Sequence, residues 1–240
     1  MATDNLTPPT GIGAPLRRSE DHRLVTGEGN YAGDFFPEEM CHAVIVRSPH
    51  AHAKIRSIST NHATSAPGVL AILTGADAAA DGLGAIPHSP DWVGPPDATL
   101  RLPEGFEVYT TENHPLPLDT VRYVGEAVAI VIAESAEAAA DAAEMLKIDY
   151  APLPTVVEAS DAIVSDAPRI WQDCPGNLAL TCEVGDREAT DRAFEQAEHI
   201  ITFDGRVHRV TGSPMEPRAM IGEYDATTDL YTLRAASGRG

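Results

Sequence analysis

Apolar positions along this chain recur either at every second residue or in short unbroken runs, and each pattern predicts an element. Ala43, Ile45 and Arg47 alternate with His42, Val44 and Val46, so residues 41–47 read as a strand. Residues 53–59 read as its partner, joined through the Ser48-Pro49-His50 turn into a hairpin. After Pro67-Gly68 the run Val69-Leu70-Ala71-Ile72-Leu73 has the continuous apolarity of a buried strand, and Thr74-Gly75-Ala76-Asp77 reads as a stop followed by a helix cap. Ala127-Val128-Ala129-Ile130-Val131-Ile132 is a second buried strand, with Ser135 as cap of an Ala- and Glu-rich helix over residues 136–146. Lys147-Ile148-Asp149-Tyr150 then returns as a strand, completing a strand–helix–strand crossover. Further on, residues 177–184, 199–210, 219–224 and 230–235 read as strands, and residues 186–197 as a helix capped by Asp186.

Between these elements the pattern breaks in three places. Residues 1–15 are rich in Thr, Pro and Gly and read as a flexible arm. Residues 82–119 carry Pro87, Pro90, Pro95, Pro96, Pro103, Pro115 and Pro117 and read as one long loop, of a length that is usually functional or in contact with a partner. Pro152, Pro154 and the irregular stretch to Gly176 place a domain boundary between about 150 and 176. The expected class is α+β, with a first domain over residues 16–155 and a second over 156–240. The second runs to the last residue with no closing helix, which reads as a fragment or as a fold continued by a partner chain.

Composition narrows the function classes. With 43% hydrophobic residues the chain can bury a core, and 17 basic against 36 acidic residues give a net charge of −19, which offers nucleic acid no basic patch. No stretch approaches the ~20 apolar residues of a membrane span, and no signal segment opens the chain, so the expected location is the cytoplasm. Cys41, Cys174 and Cys182 lack the spacing of zinc or iron–sulfur ligand pairs and read as core thiols.

The chemistry-bearing residues have structural readings. Gly27 and Gly29 bracket a turn where positive φ is cheap only for glycine, and Gly125 would let a strand start close against neighbouring backbone. His50 and His52 form an H-x-H pair, but no nearby carboxylate or cysteine completes a metal shell, and a hydrogen-bonded hairpin corner fits them better. Glu126 and Glu216 are the acids inside segments with motif character. Glu126 stands where a strand start needs its amides capped, and Glu216 lies within ion-pair reach of Arg218. Gly11-Ile12-Gly13 opens like a dinucleotide fingerprint, but no strand precedes it and Pro15 spoils the helix entry.

Three ordered segments carry a family resemblance: Gly13 to Asp21 running on through Gly27, Gly29 and Tyr31 to Asp34; Arg47-Ser48-Pro49-His50-Ala51-His52-Ala53-Lys54-Ile55; and Val124-Gly125-Glu126-Ala127-Val128-Ala129 with its helix and Tyr150-Ala151-Pro152-Leu153-Pro154. A fourth is Pro214-Met215-Glu216-Pro217-Arg218. Together they resemble the large, molybdopterin-binding subunits of the molybdenum hydroxylases, the xanthine dehydrogenase, aldehyde oxidase and carbon monoxide dehydrogenase family. The resemblance implies an α/β hammerhead domain followed by the start of the molybdopterin-binding domain. It also implies a reaction in which water-derived oxygen enters a C–H bond of an aldehyde, N-heteroaromatic, purine or related substrate. Electrons would pass to 2Fe-2S and FAD carried by partner subunits, and a C-terminal portion or chain would hold most of the molybdenum-molybdopterin.

The family's catalytic glutamate and glycine-rich cofactor loops fall beyond this chain, so the resemblance implies no catalytic residue or metal ligand here and an isolated chain without activity. Pro214, Met215, Glu216 and Pro217 are expected beside the cofactor or substrate, as are Ser237, Gly238 and Arg239, which stand where many members carry Ser-x-Gln. The competing reading is a non-catalytic scaffold or assembly subunit that keeps the hammerhead fold.

Overall fold

The computed structural model describes residues 11–12, 18–87, 101–208, 210–213, 216 and 218–236. In chain order its elements are α1 (Asp21–Val25), β1 (His42–Arg47), β2 (Ala53–Ser59), α2 (Asn61–Thr64), β3 (Val69–Thr74), α3 (Gly75–Ala80), β4 (Thr120–Val121), β5 (Ala127–Ala133), α4 (Ala136–Met145), β6 (Lys147–Pro152), α5 (Ala159–Ala162), α6 (Arg187–Gln196), β7 (Met220–Asp225) and β8 (Leu230–Ala235). Single 3-10 turns lie at Ala32–Asp34 and Pro175–Asn177. The elements fall into two compact units, one of residues 40–203 and one combining residues 1–39 with 204–240.

The larger unit is built on two antiparallel three-stranded sheets, in the orders β1-β5-β3 and β4-β2-β6. β5 is the hinge of the arrangement. Val131 packs with Ala63 and Ala142, beneath α2 and α4, while Val128 packs with Ala53 and Val121 of the second sheet. Residues three apart on a strand point to opposite faces, so β5 presents one face to the helices and the other to the second sheet. Val121, Val128 and Val131 are the largest fully buried side chains. The helices start where the sequence predicts: the Ser135 hydroxyl accepts the Ala138 N–H, and Thr74 with Asp77 forms a capping box at α3. The Thr74 hydroxyl and backbone amide, bonded to the Asp77 carboxylate, hold its pKa below the ordinary value.

Several expectations are corrected. β1 and β2 are not a hairpin: β1 pairs with β5 and β2 with β6, because the chain turns through Ser48–His52 into the other sheet. Likewise α4 links β5 of one sheet to β6 of the other, so this is no crossover within one sheet. β3 is an edge strand with Leu70 and Leu73 exposed, since it pairs on one side only. Among the described residues, 177–184 form no strand beyond the single bridge of Glu183 to Arg101, and 199–208 form none. Cys41 and Cys182 are exposed and Cys174 alone is buried. Of the expected arm, only Gly11 and Ile12 lie within the described residues.

By contact, the larger unit also takes in residues beyond 155. Residues 156–203 cluster with the two sheets because specific polar contacts bind them there. The Tyr109 hydroxyl donates to the Asp173 carboxylate at 2.6 Å, and the Arg122 guanidinium lies 3.6 Å from the Trp171 ring centroid. Burial, reinforced by the hydrogen bond to Asp173, pushes Tyr109 up to about 12. Asn177 ties its own segment together: its amide oxygen accepts from Ile170 N at 2.9 Å, and its amide nitrogen donates to Ala162 O and Pro168 O at 2.9 and 3.0 Å.

In the smaller unit β7 and β8 form an antiparallel hairpin pairing Met220 with Ala235 and Tyr224 with Tyr231. Its turn is held by Asp225, whose carboxylate accepts from the Thr227 hydroxyl and amide and the Thr228 hydroxyl, which hold its pKa at about 2.

Two substitutions test this account. A Cβ on Gly75 would stand 2.3 Å from Pro117 O and 2.8 Å from Pro117 C. The helix-propensity gain of at most about 1 kcal/mol does not offset a clash with backbone, so Gly75→Ala is expected to destabilise the chain by about 1–3 kcal/mol in urea unfolding. Asn177 adopts φ 53°. Asn177→Ala removes three hydrogen bonds and leaves alanine in the left-handed region, with an expected loss of about 2–4 kcal/mol. No change in the urea midpoint for either variant would refute the corresponding contact.

Candidate functional site

In the larger unit the second and third motif segments meet at one hydrogen-bonded knot. Ser48 N–H donates to Glu126 O at 2.8 Å, Gly125 N–H donates to Ser48 O at 2.7 Å, and the Arg47 guanidinium donates to Gly125 O at 2.9 Å. The Ser48 hydroxyl accepts from His50 N and donates to His50 O, both at 3.0 Å, closing the turn on itself. His52 is 5% exposed and its Nδ1 lies 2.7 Å from Pro154 O. A carbonyl only accepts, so that nitrogen carries the proton. The His50 ring sits 4.9 Å from the Tyr150 ring, whose hydroxyl burial raises above its ordinary pKa. The two histidines therefore serve packing and hydrogen bonding, as the pattern suggested, at a turn between sheets. Glu126 likewise caps backbone, its Oε2 accepting the Arg122 N–H at 2.5 Å. Gly125 has φ 89° with nothing near the position of a Cβ, so conformation and not close approach requires glycine there.

In the smaller unit the fourth motif meets the first. Glu216 Oε1 accepts the backbone N–H of buried Ala32 at 3.3 Å, joining residues far apart in the chain. The expected ion pair with Arg218 is not formed among the described residues, where the carboxylate instead accepts this amide. The 3-10 turn that presents Ala32 is fixed by Asp34, whose carboxylate accepts Tyr31 N–H at 2.9 Å. Gly27 takes φ 77°, as the turn demanded. Gly29 is required for a different reason, since a Cβ there would stand 2.7 Å from the Leu24 side chain.

Glu216 opens onto a cleft of about 480 Å³ lined by Tyr31, Ala32, Phe35, Arg234 and Ala236 among others. Arg234 bonds Glu223 at 3.0 Å and stands 5.1 Å from the Phe35 ring centroid, so its charge is held between an acid and an aromatic face. Sequence reasoning missed Tyr31, Phe35 and Arg234 as cleft residues. The available signals were the aromatic pair Phe35-Phe36 beside the first motif and the charge at Arg234 within an apolar strand. Pro214, Met215, Pro217, Ser237, Gly238 and Arg239 lie outside the described residues, so Glu216 is the one expected site residue with a described place.

Among the described residues no group of three or more His, Cys, Asp or Glu side chains is arranged to hold a metal ion. Of the carboxylates lining the cleft, Glu216 accepts an amide and Glu20 pairs with Arg23. These residues do not compose a seat for a metal cofactor by themselves. What the cleft can do is hold the segments that line it together, through a buried amide, a carboxylate and a clamped guanidinium.

Comparison with known proteins gives the family. The model of the aldehyde oxidase and xanthine dehydrogenase a/b hammerhead domain matches residues 26–93 and 98–154. The nicotine 6-hydroxylase large subunit of Paenarthrobacter nicotinovorans is 34% identical over 224 residues, covering 92% of this chain and 25% of that protein. Among solved structures, quinoline 2-oxidoreductase from Pseudomonas putida 86 is similar at 33% identity and a TM-score of 0.75, over 92% of this chain and 26% of that one. A Cu,Mo-CO dehydrogenase is similar at 31% identity and a TM-score of 0.75, over 94% and 27%. The chain thus spans about a quarter of the length of the relatives it matches. With the two-sheet unit, the knot of motif segments and this match in agreement, the chain belongs to the aldehyde oxidase and xanthine dehydrogenase family and carries its α/β hammerhead fold.

Proposed function

We propose that this chain is the N-terminal part of the large subunit of a molybdenum hydroxylase, residues 16–155 being the hammerhead domain and 156–240 the first part of the molybdopterin-binding domain. The observation that carries this reading is the family match, which runs through both sheets of the larger unit and ends at residue 154. The complete enzyme, in the cytoplasm, inserts water-derived oxygen into a C–H bond of an aldehyde, N-heteroaromatic, purine or related substrate. The molybdenum-molybdopterin is held mainly by polypeptide beyond this chain and supplies the two-electron oxidation. Partner subunits carry 2Fe-2S and FAD and take the electrons away. No described helix is long and apolar enough to cross a membrane.

In this reading Pro214, Met215, Glu216 and Pro217 border the cofactor or substrate on one side, and Ser237, Gly238 and Arg239 on another. Their neighbours in sequence support it, since Glu216 and Ala236 line the same cleft. Glu216 acts as an anchor: by accepting the Ala32 amide it ties its own position to the 3-10 turn at Ala32–Asp34.

The anchor makes two substitutions separable. In the assembled enzyme Glu216→Gln retains an oxygen that can accept the Ala32 amide, so at most a roughly tenfold loss of kcat/KM is expected; Glu216→Ala removes the acceptor, with an expected loss of roughly ten- to a hundredfold, molybdenum still bound in both. Abolished turnover in Glu216→Gln with assembly and metal intact would make the carboxylate a chemical participant. A second prediction concerns the chain by itself. Expressed alone, it is expected to retain neither molybdenum nor flavin by elemental analysis and absorbance, and a stoichiometric amount of either would contradict the placement of the cofactor seats elsewhere.

A further inference from the structure

The β7–β8 hairpin carries its polarity the wrong way round for a free surface. Its register places Met220, Gly222 and Tyr224 opposite Ala235, Leu233 and Tyr231, and alternation puts all six on one face. That face is open: Met220 is 70% exposed, Leu233 70% and Tyr231 77%. The opposite face holds the Glu223–Arg234 ion pair, with Arg234 5.1 Å from the Phe35 ring centroid, and β7 contacts the 3-10 turn at Ala32–Asp34. The charged side is only half exposed, at 46% for Arg234 and 40% for Glu223, and the apolar side is the barer of the two, whereas a solvated hairpin keeps its apolar face covered. A contiguous patch of large apolar side chains of this kind marks an interface.

The bare face also has a shape. Gly222 leaves a notch of about 370 Å³ bordered by Tyr224, Tyr231 and Leu233, and the two tyrosine rings stand 4.5 Å apart at its wall. Nothing lies within 4 Å of where a Cβ of Gly222 would be. Neither a positive φ nor a neighbour among the described residues requires glycine at this position, so the space over it is what the missing side chain provides.

We propose that this face is an internal packing surface of the complete large subunit. Its occupant is an apolar segment of the polypeptide that makes up the rest of that subunit, with one large apolar side chain seated in the notch over Gly222. The inference rests on the reading given under Proposed function. The choice of occupant follows from length: the relatives are about four times as long as this chain, so three quarters of such a subunit lies outside it. A face with no charged group among its six residues suits continuous burial within one folded subunit better than reversible contact.

Hydroxyl-radical footprinting read by mass spectrometry tests this on the complete subunit purified from its source, with the 240-residue chain alongside. Met220, Tyr231 and Leu233 are expected to react at least about tenfold more slowly in the complete subunit than in the monomeric chain. Equal rates in the two samples overturn the proposal. So does a chain that sediments as a dimer with these residues protected, because a second copy would then close the face. Gly222→Leu is expected to leave the melting temperature of the 240-residue chain unchanged while raising the reactivity of Met220 and Tyr231 in the complete subunit; protection that survives this substitution overturns the seat at Gly222. Molybdenum content of the same sample reports on the enzyme reading separately, since a complete subunit without molybdenum sinks that reading while the footprint still decides this one.

Discussion

The larger unit depends on one strand being buried from both sides. β5 supplies Val131 to the core under α4 and Val128 to the core shared with the second sheet, and it is hydrogen-bonded along both edges, to β1 and β3. A strand in that position must be apolar throughout, which is why residues 127–133 contain only Ala, Val and Ile. Everything that makes the motif knot follows from its start. The Gly125-Glu126 turn that leads into β5 is where Ser48 docks, and Glu126 reaches back to cap Arg122. Arg122 in turn lies over Trp171, so the placement of the segment beyond β6 is tied to the same strand.

The parts of this fold legible in the sequence are those whose signal is local. α4 announces itself through a capping serine and an alanine-rich run, and β5 through continuous apolarity, because both are decided within a few residues. Pairing is not local. β1 and β2 are close in sequence and each reads as a strand, yet the choice between a hairpin and separate sheets is made by β5 and β6, about eighty or more residues onward. Residues 199–208 alternate as a strand would, with Ile201, Phe203 and Val207 on one side and Thr202, Asp204 and His208 on the other, and still form no ladder among the described residues. Alternation records a preference for a half-buried pleated surface, and a ladder requires a partner edge.

The candidate site was legible in the same uneven way. That Gly27 needs positive φ could be read from a turn signature, but the partner of Glu216 could not, because Ala32 is remote in sequence and offers only a backbone amide. An ion pair with Arg218 was the nearest chemically sensible choice. The fold replaced it with a longer-range bond, since Ala32 is buried and its N–H would otherwise lack an acceptor.

Two of the motif acids, one in each unit, do the same physical job. Glu126 accepts the amide of Arg122 and Glu216 the amide of Ala32, and in each case an ionised acceptor holds a backbone donor at a turn. A charged acceptor makes such a bond roughly twice as strong as a neutral one, and it pins the segment that donates as well as the one that accepts. At these positions motif character records conformation: the acids, glycines and histidines that stand out in the sequence hold segments of this chain together.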